Sequence, residues 1–219
     1  MRKPPDYFYL NNKNIKALRN PTDGTMSFED AARIRAMPAP LRVELGTERT
    51  MSIKQDIDTD KILKEVKKVD EKYDWRKPGN CQIMLQGCGV TDDPYFGSRE
   101  FIEIESAGKT EEDFIIPLFK EMKYTNKILK ELKMFRSRLM LLLPKTCLSW
   151  HKDPSMRIHI PLSGDSDSFH IIEDIRKNKQ VHQIAKGEAH LMNTEVMHSG
   201  VNLSRKVERL HIVGCVNVD

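Results

Sequence analysis

The sequence predicts an α+β fold that is mainly β, in which a helical N-terminal part is followed by a core of short strands. Residues 1–134 combine helical spacing of apolar residues with loop-rich stretches. Residues 135–219 instead hold short segments in which apolar and polar residues alternate, separated by polar turns. With 219 residues, 39% of them hydrophobic, the chain can bury a full core, and we expect the two parts to form one compact domain.

The N-terminal part is expected to pack on the core mainly through helices. Helices are predicted over three segments, namely Met26 to Met37, Asp58 to Val69 and Glu111 to Met134, and an interruption of the last one at Pro117 is left open. A short strand is predicted at residues 81–86. The glycines and Pro94 of residues 87–100 break regular structure, so this stretch is a candidate lid over a site.

Strands dominate the prediction for residues 135–219. Six are predicted, at residues 137–143, 157–162, 168–172, 180–184, 188–192 and 208–216. Polar turns such as Ser163-Gly164-Asp165 separate them. Several short strands at this spacing are typical of an all-β sandwich or barrel.

Histidine is concentrated in this second part, where all seven histidines lie between residues 151 and 211. The most informative pattern is His151-Lys152-Asp153. Residues two apart in an extended chain point to the same side, so His151 and Asp153 can supply two donors of a facial triad. Such a triad of two histidines and one carboxylate binds Fe(II) and leaves coordination positions open. The third donor must come from another strand; His198, just before the last predicted strand, is well placed, and the other downstream histidines are alternatives.

Strand parity indicates where the other polar side chains point. In the strand at 157–162, Arg157 and His159 share a face opposite three apolar residues, which must enter the core. Arg157 and His159 therefore point into a different space, such as a barrel interior or a cleft. Arg209 and His211 share one face of the last strand in the same way, which makes His211 a candidate lining residue. Outward-facing polar positions are expected for the other strand histidines, His170, His182 and His190.

The order of these residues along the chain resembles that of a known family. The pattern consists of His151-x-Asp153, Arg157-x-His159, His198 and, eleven residues later, Arg209. It resembles the aspartyl/asparaginyl β-hydroxylase-like group of 2-oxoglutarate- and Fe(II)-dependent oxygenases, to which bacterial free-proline hydroxylases belong. The resemblance covers roughly residues 135–217. It implies that the core is a double-stranded β-helix, which is a jelly-roll or cupin-like sandwich.

The resemblance also implies a role for each residue of the pattern. Arg209 would pair with the distal carboxylate of 2-oxoglutarate, because a planar guanidinium matches a carboxylate through two hydrogen bonds. Arg157 and His159 would contact 2-oxoglutarate or help to hold its metal-chelating end. The catalytic iron would be bound by His151, Asp153 and His198.

The chain departs from the family pattern at two points. Animal members typically lack the carboxylate ligand, so Asp153 makes this chain more similar to the bacterial amino-acid hydroxylases. The interval from His198 to Arg209 is also one residue longer than the family leads us to expect. Arg205 and Lys206 are therefore alternative partners of the cosubstrate, although strand parity favours Arg209.

The activity implied by the resemblance is hydroxylation of an unactivated C–H bond with O₂ and Fe(II), while 2-oxoglutarate is decarboxylated to succinate. The substrate is expected to be an amino acid or a peptidyl side chain. Three alternatives remain open: an oxygenase that acts on a nucleic-acid base, a non-enzymatic metal-binding cupin, and a zinc-dependent cupin isomerase or hydrolase. Arg209 separates these classes, because a plain metal site has no need of a buried guanidinium.

Composition excludes several other classes of function. The net charge of +4 is too small to indicate a nucleic-acid partner. The sequence holds no apolar run of about 18 residues, so no membrane span is expected, and the N-terminus lacks the apolar region of a secretory signal. Four scattered cysteines are expected to be free thiols, which favours a cytoplasmic protein. The sequence leaves the oligomeric state open.

Overall fold

The computed structural model describes residues 50–77, 81–98, 101–173 and 179–217. The helix predicted over Met26 to Met37 and the last two residues of the candidate lid lie outside these ranges. Within them the helices are α1 (Thr59–Lys72), α2 (Phe101–Ser106) and α3 (Lys123–Glu131). Asp58 caps α1, because its side chain accepts a hydrogen bond from Lys61 N at 3.0 Å. None of these helices is long and apolar enough to span a membrane.

The strands of the described residues form two main antiparallel sheets. They are β1 (Thr50–Lys54), β2 (Gln82–Met84), β3 (Gln86–Gly87), β4 (Ile116–Pro117), β5 (Phe135–Leu142), β6 (Thr146–Cys147), β7 (Arg157–Ser163), β8 (Ser168–Glu173), β9 (Lys179–His182), β10 (Ala189–Met192), β11 (His198–Asn202) and β12 (Arg209–Cys215). The large sheet has the order β1-β10-β7-β12-β5-β2, the small sheet has the order β6-β11-β8-β9, and β3 pairs with β4. This is the jelly-roll arrangement of a double-stranded β-helix, so the predicted fold class is confirmed, and each of the six predicted strand segments contains a strand.

The main hydrophobic core lies between the large sheet and the helices. In β7, alternate residues enter this core, as the period-2 pattern predicts, and so do Leu210 and Ile212 of the neighbouring β12. Helices α1 and α3 close the core with one apolar face each. The buried residues that meet here include Ile62, Val66, Ile128, Leu129, Ile158, Ile160, Leu162, Leu210 and Ile212.

A second, smaller apolar cluster belongs to the small sheet. It comprises Cys147, Phe169, Ile171, Val201 and Leu203, with Trp150 packed against it. Along β8 and β11 these residues alternate with residues that point to the other face, and most of those are polar, with the buried Ile172 as an apolar exception. Since the large sheet also directs its apolar residues away from the small sheet, the space between the two sheets is lined mainly by polar side chains. Cys81, Cys88, Cys147 and Cys215, all within the described residues, form no disulfide bond.

One sequence prediction of local structure is wrong, and one strand was not predicted. The long helix expected over Glu111 to Met134 is instead a 3₁₀ turn (Glu111–Asp113), the short strand β4 and the helix α3. Pro117 lacks a backbone donor, which disfavours a continuous helix through this segment. Strand β11 was not predicted, because its sequence HSGVN has weak strand propensity; the strand exists through pairing with β8 and β6.

The candidate lid is tightly attached to the sheet over residues 88–98. Met84 N donates to Pro94 O at 2.8 Å, and the ring of Tyr95 packs edge-on against that of Tyr73, with 6.3 Å between centroids. The carbonyl of Gly97 accepts a hydrogen bond from Arg136 Nη2 at 2.8 Å. These contacts hold the segment in one position, and a role as a lid stays a prediction.

Asn202, at the end of β11, fastens the loop that leads into β12. It is fully buried, and its side-chain amide makes hydrogen bonds on every side. Nδ2 donates to the carbonyls of Leu142, Leu143 and Val207, and Oδ1 accepts from Ser168 Oγ and Ser204 N. The side chain therefore connects the two sheets at the point where β12 begins with Arg209.

Replacing Asn202 with Ala should lower the free energy of unfolding by at least about 3 kcal/mol. The substitution leaves several buried carbonyls without their donor, and each such loss costs about 1–3 kcal/mol. Urea unfolding measures the change. Asn193→Ala is the matched control, because Asn193 only accepts one bond from Glu195 N near the surface, and it should change stability by less than about 1 kcal/mol. Equal effects of the two substitutions would contradict this role for Asn202.

Candidate active site

His151, Asp153 and His198 come together at the open end of the sandwich. His151 and His198 form an isolated antiparallel bridge, with two backbone hydrogen bonds of 3.1 and 2.9 Å between them. Asp153 N donates to Thr194 O at 2.8 Å, which extends this pairing by one more bond. The segment before β7 is thereby held beside the start of β11. The H-x-D pair and the distal histidine meet because these two segments are paired.

The donor atoms of the three side chains face one another. His151 Nε2 lies 3.9 Å from Asp153 Oδ1, and His198 Nε2 lies 3.7 Å from Asp153 Oδ2. One donor atom from each residue lies within 4.8 Å of the others. Metal bonds to imidazole and carboxylate of about 2.0–2.2 Å place neighbouring donors roughly 2.8–3.6 Å apart. A small closure of this set would therefore bring it to coordination distance.

Both imidazoles are oriented for metal binding by backbone carbonyls. His151 Nδ1 is 2.6 Å from Ser149 O, and His198 Nδ1 is 2.9 Å from Val196 O. A carbonyl can only accept, so each Nδ1 carries the proton and each Nε2 presents a lone pair toward Asp153. Burial and the nearby His151 lower the pKa of His198, which keeps this imidazole neutral. The donor set fits a divalent iron-type ion with open coordination positions.

Arg157 holds the Asp153 carboxylate through a hydrogen bond. Its Nε donates to Asp153 Oδ2 at 3.2 Å, and its Nη1 donates to Ser155 Oγ at 2.7 Å. Its Nη2 donates to Glu111 Oε1 at 3.0 Å, and its Nη1 also contacts Cys215 Sγ. The structure therefore places Arg157 against a metal-ligand candidate and a second carboxylate, within a buried network.

A second polar cluster fills the space between the sheets. It consists of the guanidinium of Arg209 and the imidazoles of His159, His170 and His211. The ring centroids lie 4.6 Å apart for His159 and His170, 5.9 Å for His159 and His211, and 5.7 Å for His170 and His211. Arg209 Nη2 lies 2.5 Å from His170 Nε2. All four side chains are buried.

The histidines predicted to face outward do not do so. His170, His182 and His190 are only 2%, 3% and 4% exposed. The inner face of each sheet is the polar one here, so polarity does not mark the solvent side. The alternation of His170 with Phe169 and Ile171 separates it from the apolar face, as His159 is separated from Ile158 and Ile160, but it does not show that the polar face is enclosed.

Arg209 is a cation buried between the two sheets. Among the described residues, no carboxylate forms an ion pair with it, and burial lowers its pKa to about 9. Burial, followed by the charge of Arg209, holds the pKa values of His159, His170 and His211 well below the usual range, so the imidazoles are neutral. The Nδ1 atoms of His159 and His211 have no hydrogen-bond partner in the described residues. The cluster therefore carries one positive charge and unused polar groups, which suits a buried anion.

The same three histidines are close enough to one another to hold a metal ion. The guanidinium of Arg209 argues against this, because it already contacts His170 Nε2 and would repel a cation in the same space. Arg205 and Lys206 lie outside the cluster, because both residues are exposed. Of the three candidate cosubstrate partners, only Arg209 lies between the sheets.

Strand β11 connects the two clusters. His198 and Gly200 are two residues apart and point to the same face of the strand, so the metal-ligand candidate and the Arg209 cluster are neighbours. A Cβ atom at Gly200 would lie 3.3 Å from Arg209 Nη1. The absence of a side chain at this position leaves room for the guanidinium beside β11.

Glu111 is the member of this site that the sequence did not indicate. It accepts hydrogen bonds from Arg136 Nη1 at 2.5 Å and from Arg157 Nη2 at 3.0 Å. Burial opposes its ionisation, but the charges and hydrogen bonds of Arg157 and Arg136 lower the pKa of the Glu111 carboxyl to about 2. No local pattern marks this residue, because its partners are 25 and 46 positions away in the sequence.

Comparison with known proteins gives distant structural similarities. No protein-family model and no curated protein matches the chain. A prolyl-4-hydroxylase from Pseudomonas putida is 13% identical over 80% of this chain and 96% of that one, with a TM-score of 0.41. An oxidoreductase of the 2OG-Fe(II) oxygenase family from Burkholderia pseudomallei is 16% identical, with a TM-score of 0.34; the match covers 37% of this chain and 42% of that one. A cupin domain from Bordetella pertussis is 14% identical over 38% of this chain and 81% of that one, with a TM-score of 0.31.

Proposed function

We propose that this protein is an Fe(II)- and 2-oxoglutarate-dependent dioxygenase of the aspartyl/asparaginyl β-hydroxylase-like group. The observation that carries the proposal is the combination of two neighbouring features. One is a set of three metal donors that leaves coordination positions open, and the other is a buried cation, Arg209, with which no carboxylate of the described residues pairs. A 2-oxoglutarate molecule has both complementary ends: a 2-oxo acid for the metal and a distal carboxylate for a guanidinium.

Each residue has a distinct task in this proposal. Iron is held by His151, Asp153 and His198, and when bound together with 2-oxoglutarate it supplies the oxidant for C–H hydroxylation from O₂, with succinate and CO₂ as products. Arg157 orients the Asp153 carboxylate. Arg209 anchors the distal carboxylate of the cosubstrate, and His159 and His211 offer their free ring nitrogens to it. The buried position of the cluster excludes water from the bound cosubstrate.

The substrate is proposed to be an amino acid or a peptidyl side chain, and a cytoplasmic location stays a prediction from the sequence. An oxygenase that acts on a nucleic-acid base is the closest alternative in chemistry. The competing class is a non-enzymatic metal-binding cupin. Arg209 favours the oxygenase, because a metal site alone gives no reason to bury a charged guanidinium that destabilises the fold.

The purified protein should form succinate from 2-oxoglutarate when supplied with Fe(II), ascorbate and O₂. His151→Ala removes one of the three metal donors, so succinate formation should fall to background. Lys152→Ala is the matched control, because this exposed residue lies between the two donors and points away from them; its activity should stay within about twofold of the wild type. Chromatographic quantification of succinate measures all three proteins.

The proposal would be contradicted if the protein forms no succinate and also binds no 2-oxoglutarate under anaerobic conditions with Mn(II). In that case the metal-binding cupin becomes the better description, provided that Mn(II) itself still binds. If succinate does form, panels of amino acids, peptides and oligonucleotides that stimulate it will separate the candidate substrate classes.

A further inference from the structure

We propose that Glu111 is a positioning residue for the metal centre, which it controls through Arg157 and the Asp153 carboxylate. Glu111 lies outside the stretch that resembles the oxygenase family, and it belongs to the N-terminal part of the chain. The inference rests on the metal centre proposed above. It gives that part of the chain a defined task in the site, beyond packing on the core.

The 3₁₀ turn that carries Glu111 is held rigidly. Thr110 and Asp113 cap the turn reciprocally, and Thr110 N donates to Asp113 Oδ2 at 2.8 Å. Immediately after the turn, the carbonyl of Phe114 accepts a hydrogen bond from Arg136 N at 2.8 Å. The turn is therefore attached to the start of β5, and the position of the Glu111 side chain is set by the large sheet.

The Glu111 carboxylate uses both of its oxygens toward the metal centre. Oε1 accepts from Arg157 Nη2 at 3.0 Å and from Arg136 Nη1 at 2.5 Å. Oε2 accepts from Ser155 Oγ at 3.0 Å. Ser155 lies two residues after Asp153 and itself accepts from Arg157 Nη1 at 2.7 Å. Glu111 thus fixes the position of the Arg157 guanidinium, which holds the Asp153 carboxylate. It also fixes the loop that carries Asp153.

The charges explain why this arrangement matters for a metal. The buried Arg157 guanidinium is shared by two carboxylates, those of Glu111 and Asp153. If Glu111 loses its charge, Arg157 interacts more strongly with Asp153 and competes with a cation for the same carboxylate. Glu111 therefore keeps Asp153 oriented yet available for coordination. Groups that hydrogen-bond a metal ligand directly, as Arg157 does here, typically change metal affinity by about 10–100-fold when they are removed, and Glu111 acts one contact further out.

The test is the affinity of the metal-free protein for Mn(II), measured by isothermal titration calorimetry. Glu111→Gln keeps the size of the side chain and removes its charge, so Mn(II) binding should weaken severalfold, by up to about 10-fold. Glu111→Asp keeps the charge and should recover part of the affinity. Glu112→Gln is the matched control: its carboxylate reaches only Asn217 at the surface, and its affinity should equal that of the wild type.

A second variant and a spectroscopic readout separate positioning from a general loss of structure. Ser155→Ala leaves all charges in place and removes the hydroxyl that joins Glu111 to the Asp153 loop, so it should weaken Mn(II) binding by a smaller factor. The visible absorption of bound Co(II) should change in Glu111→Gln, because the geometry of the Asp153 ligand changes, and stay unchanged in Glu112→Gln.

The outcomes distinguish this inference from the proposed function. If the wild-type protein binds no Mn(II), the metal centre itself is wrong. If the wild type binds Mn(II) and Glu111→Gln binds it equally well with the same Co(II) spectrum, the positioning role of Glu111 is overturned. Equal losses in Glu111→Gln and Glu112→Gln would also overturn it, since they would indicate a general effect of charge. If Glu111→Gln does not fold, unchanged Mn(II) affinity in Ser155→Ala overturns the proposal, and a loss there supports it.

Discussion

Replacing Arg209 with Met should abolish 2-oxoglutarate binding and, at the same time, make the ligand-free protein more stable. Each charge-assisted hydrogen bond between a guanidinium and a carboxylate contributes about 1.5–3 kcal/mol. Loss of a bidentate pair should therefore weaken 2-oxoglutarate binding by at least about 100-fold. Anaerobic calorimetry with Mn(II) and 2-oxoglutarate measures this loss.

The ligand-free protein should become more stable, although it binds the ligand less well, because no carboxylate in the described part of the chain pairs with Arg209. Burial lowers its pKa to about 9, which shows that the protein interior disfavours its charge. Methionine fills a similar volume without that charge, and we expect the free energy of unfolding to rise by about 1–3 kcal/mol. Thermal unfolding should show a Tm that is higher by roughly 2–10 °C.

Arg205→Met is the matched control for both measurements. Arg205 lies in the loop that precedes β12, where it is exposed. Its substitution should leave 2-oxoglutarate affinity unchanged and shift stability by no more than about 0.5 kcal/mol. A protein with Arg209→Met that still binds 2-oxoglutarate normally would remove the main support for the oxygenase. A protein destabilised by that substitution would show that Arg209 has a structural task.

Acidification of the metal-free protein should unfold it between about pH 6.5 and pH 4. The relevant groups are the buried histidines of the sandwich interior. Burial lowers the pKa of His182 to about 4, and burial followed by neighbouring charges lowers those of His159, His170 and His211 well below 6.5. Below pH 6.5 the unfolded chain binds protons at these positions and the native protein does not.

The sign and the size of the effect follow from proton linkage. Above pH 6.5 these four histidines do not change the free energy of unfolding. As the pH falls from 6.5 toward their folded-state pKa values, the unfolded chain binds more protons than the native protein, so the free energy of unfolding falls. Each contributes about 1.4 kcal/mol per pH unit in that range. At pH 5 the contribution of His182 alone reaches about 2 kcal/mol, and the other three imidazoles act in the same direction, against a total stability of about 5–15 kcal/mol for a typical domain. Glu111, with a pKa of about 2, loses its contribution only as the pH falls below about 4.5.

Urea unfolding in the presence of a chelator, at several pH values from 7.5 to 5, measures this dependence. The slope of the unfolding free energy against pH should correspond to an uptake of up to about four protons. His182→Leu removes one of the groups, so its slope should be smaller by about one proton. A stability that is flat down to pH 5 would show that these imidazoles are already protonated, or accessible to water, in the native protein.

Local alternation in the sequence was sufficient to predict most of the β core. The apolar residues of β7 and β12 recur with period 2, so the sequence alone predicts which residues enter the core and which lie opposite them. Local chain geometry also predicts that His151 and Asp153 point to the same side, because they are two residues apart. Because these features depend only on neighbouring residues, they are readable without the fold.

Pairing between distant segments decided what the sequence could not show. The position of His170 between the sheets, the existence of β11 and the meeting of Glu111 with Arg157 depend on contacts across tens of residues. Alternation distinguishes two faces of a strand, but it does not say whether the polar face meets water or a second polar sheet. That choice is made by the packing of the apolar faces, which in this protein leaves charged and imidazole side chains enclosed between the sheets.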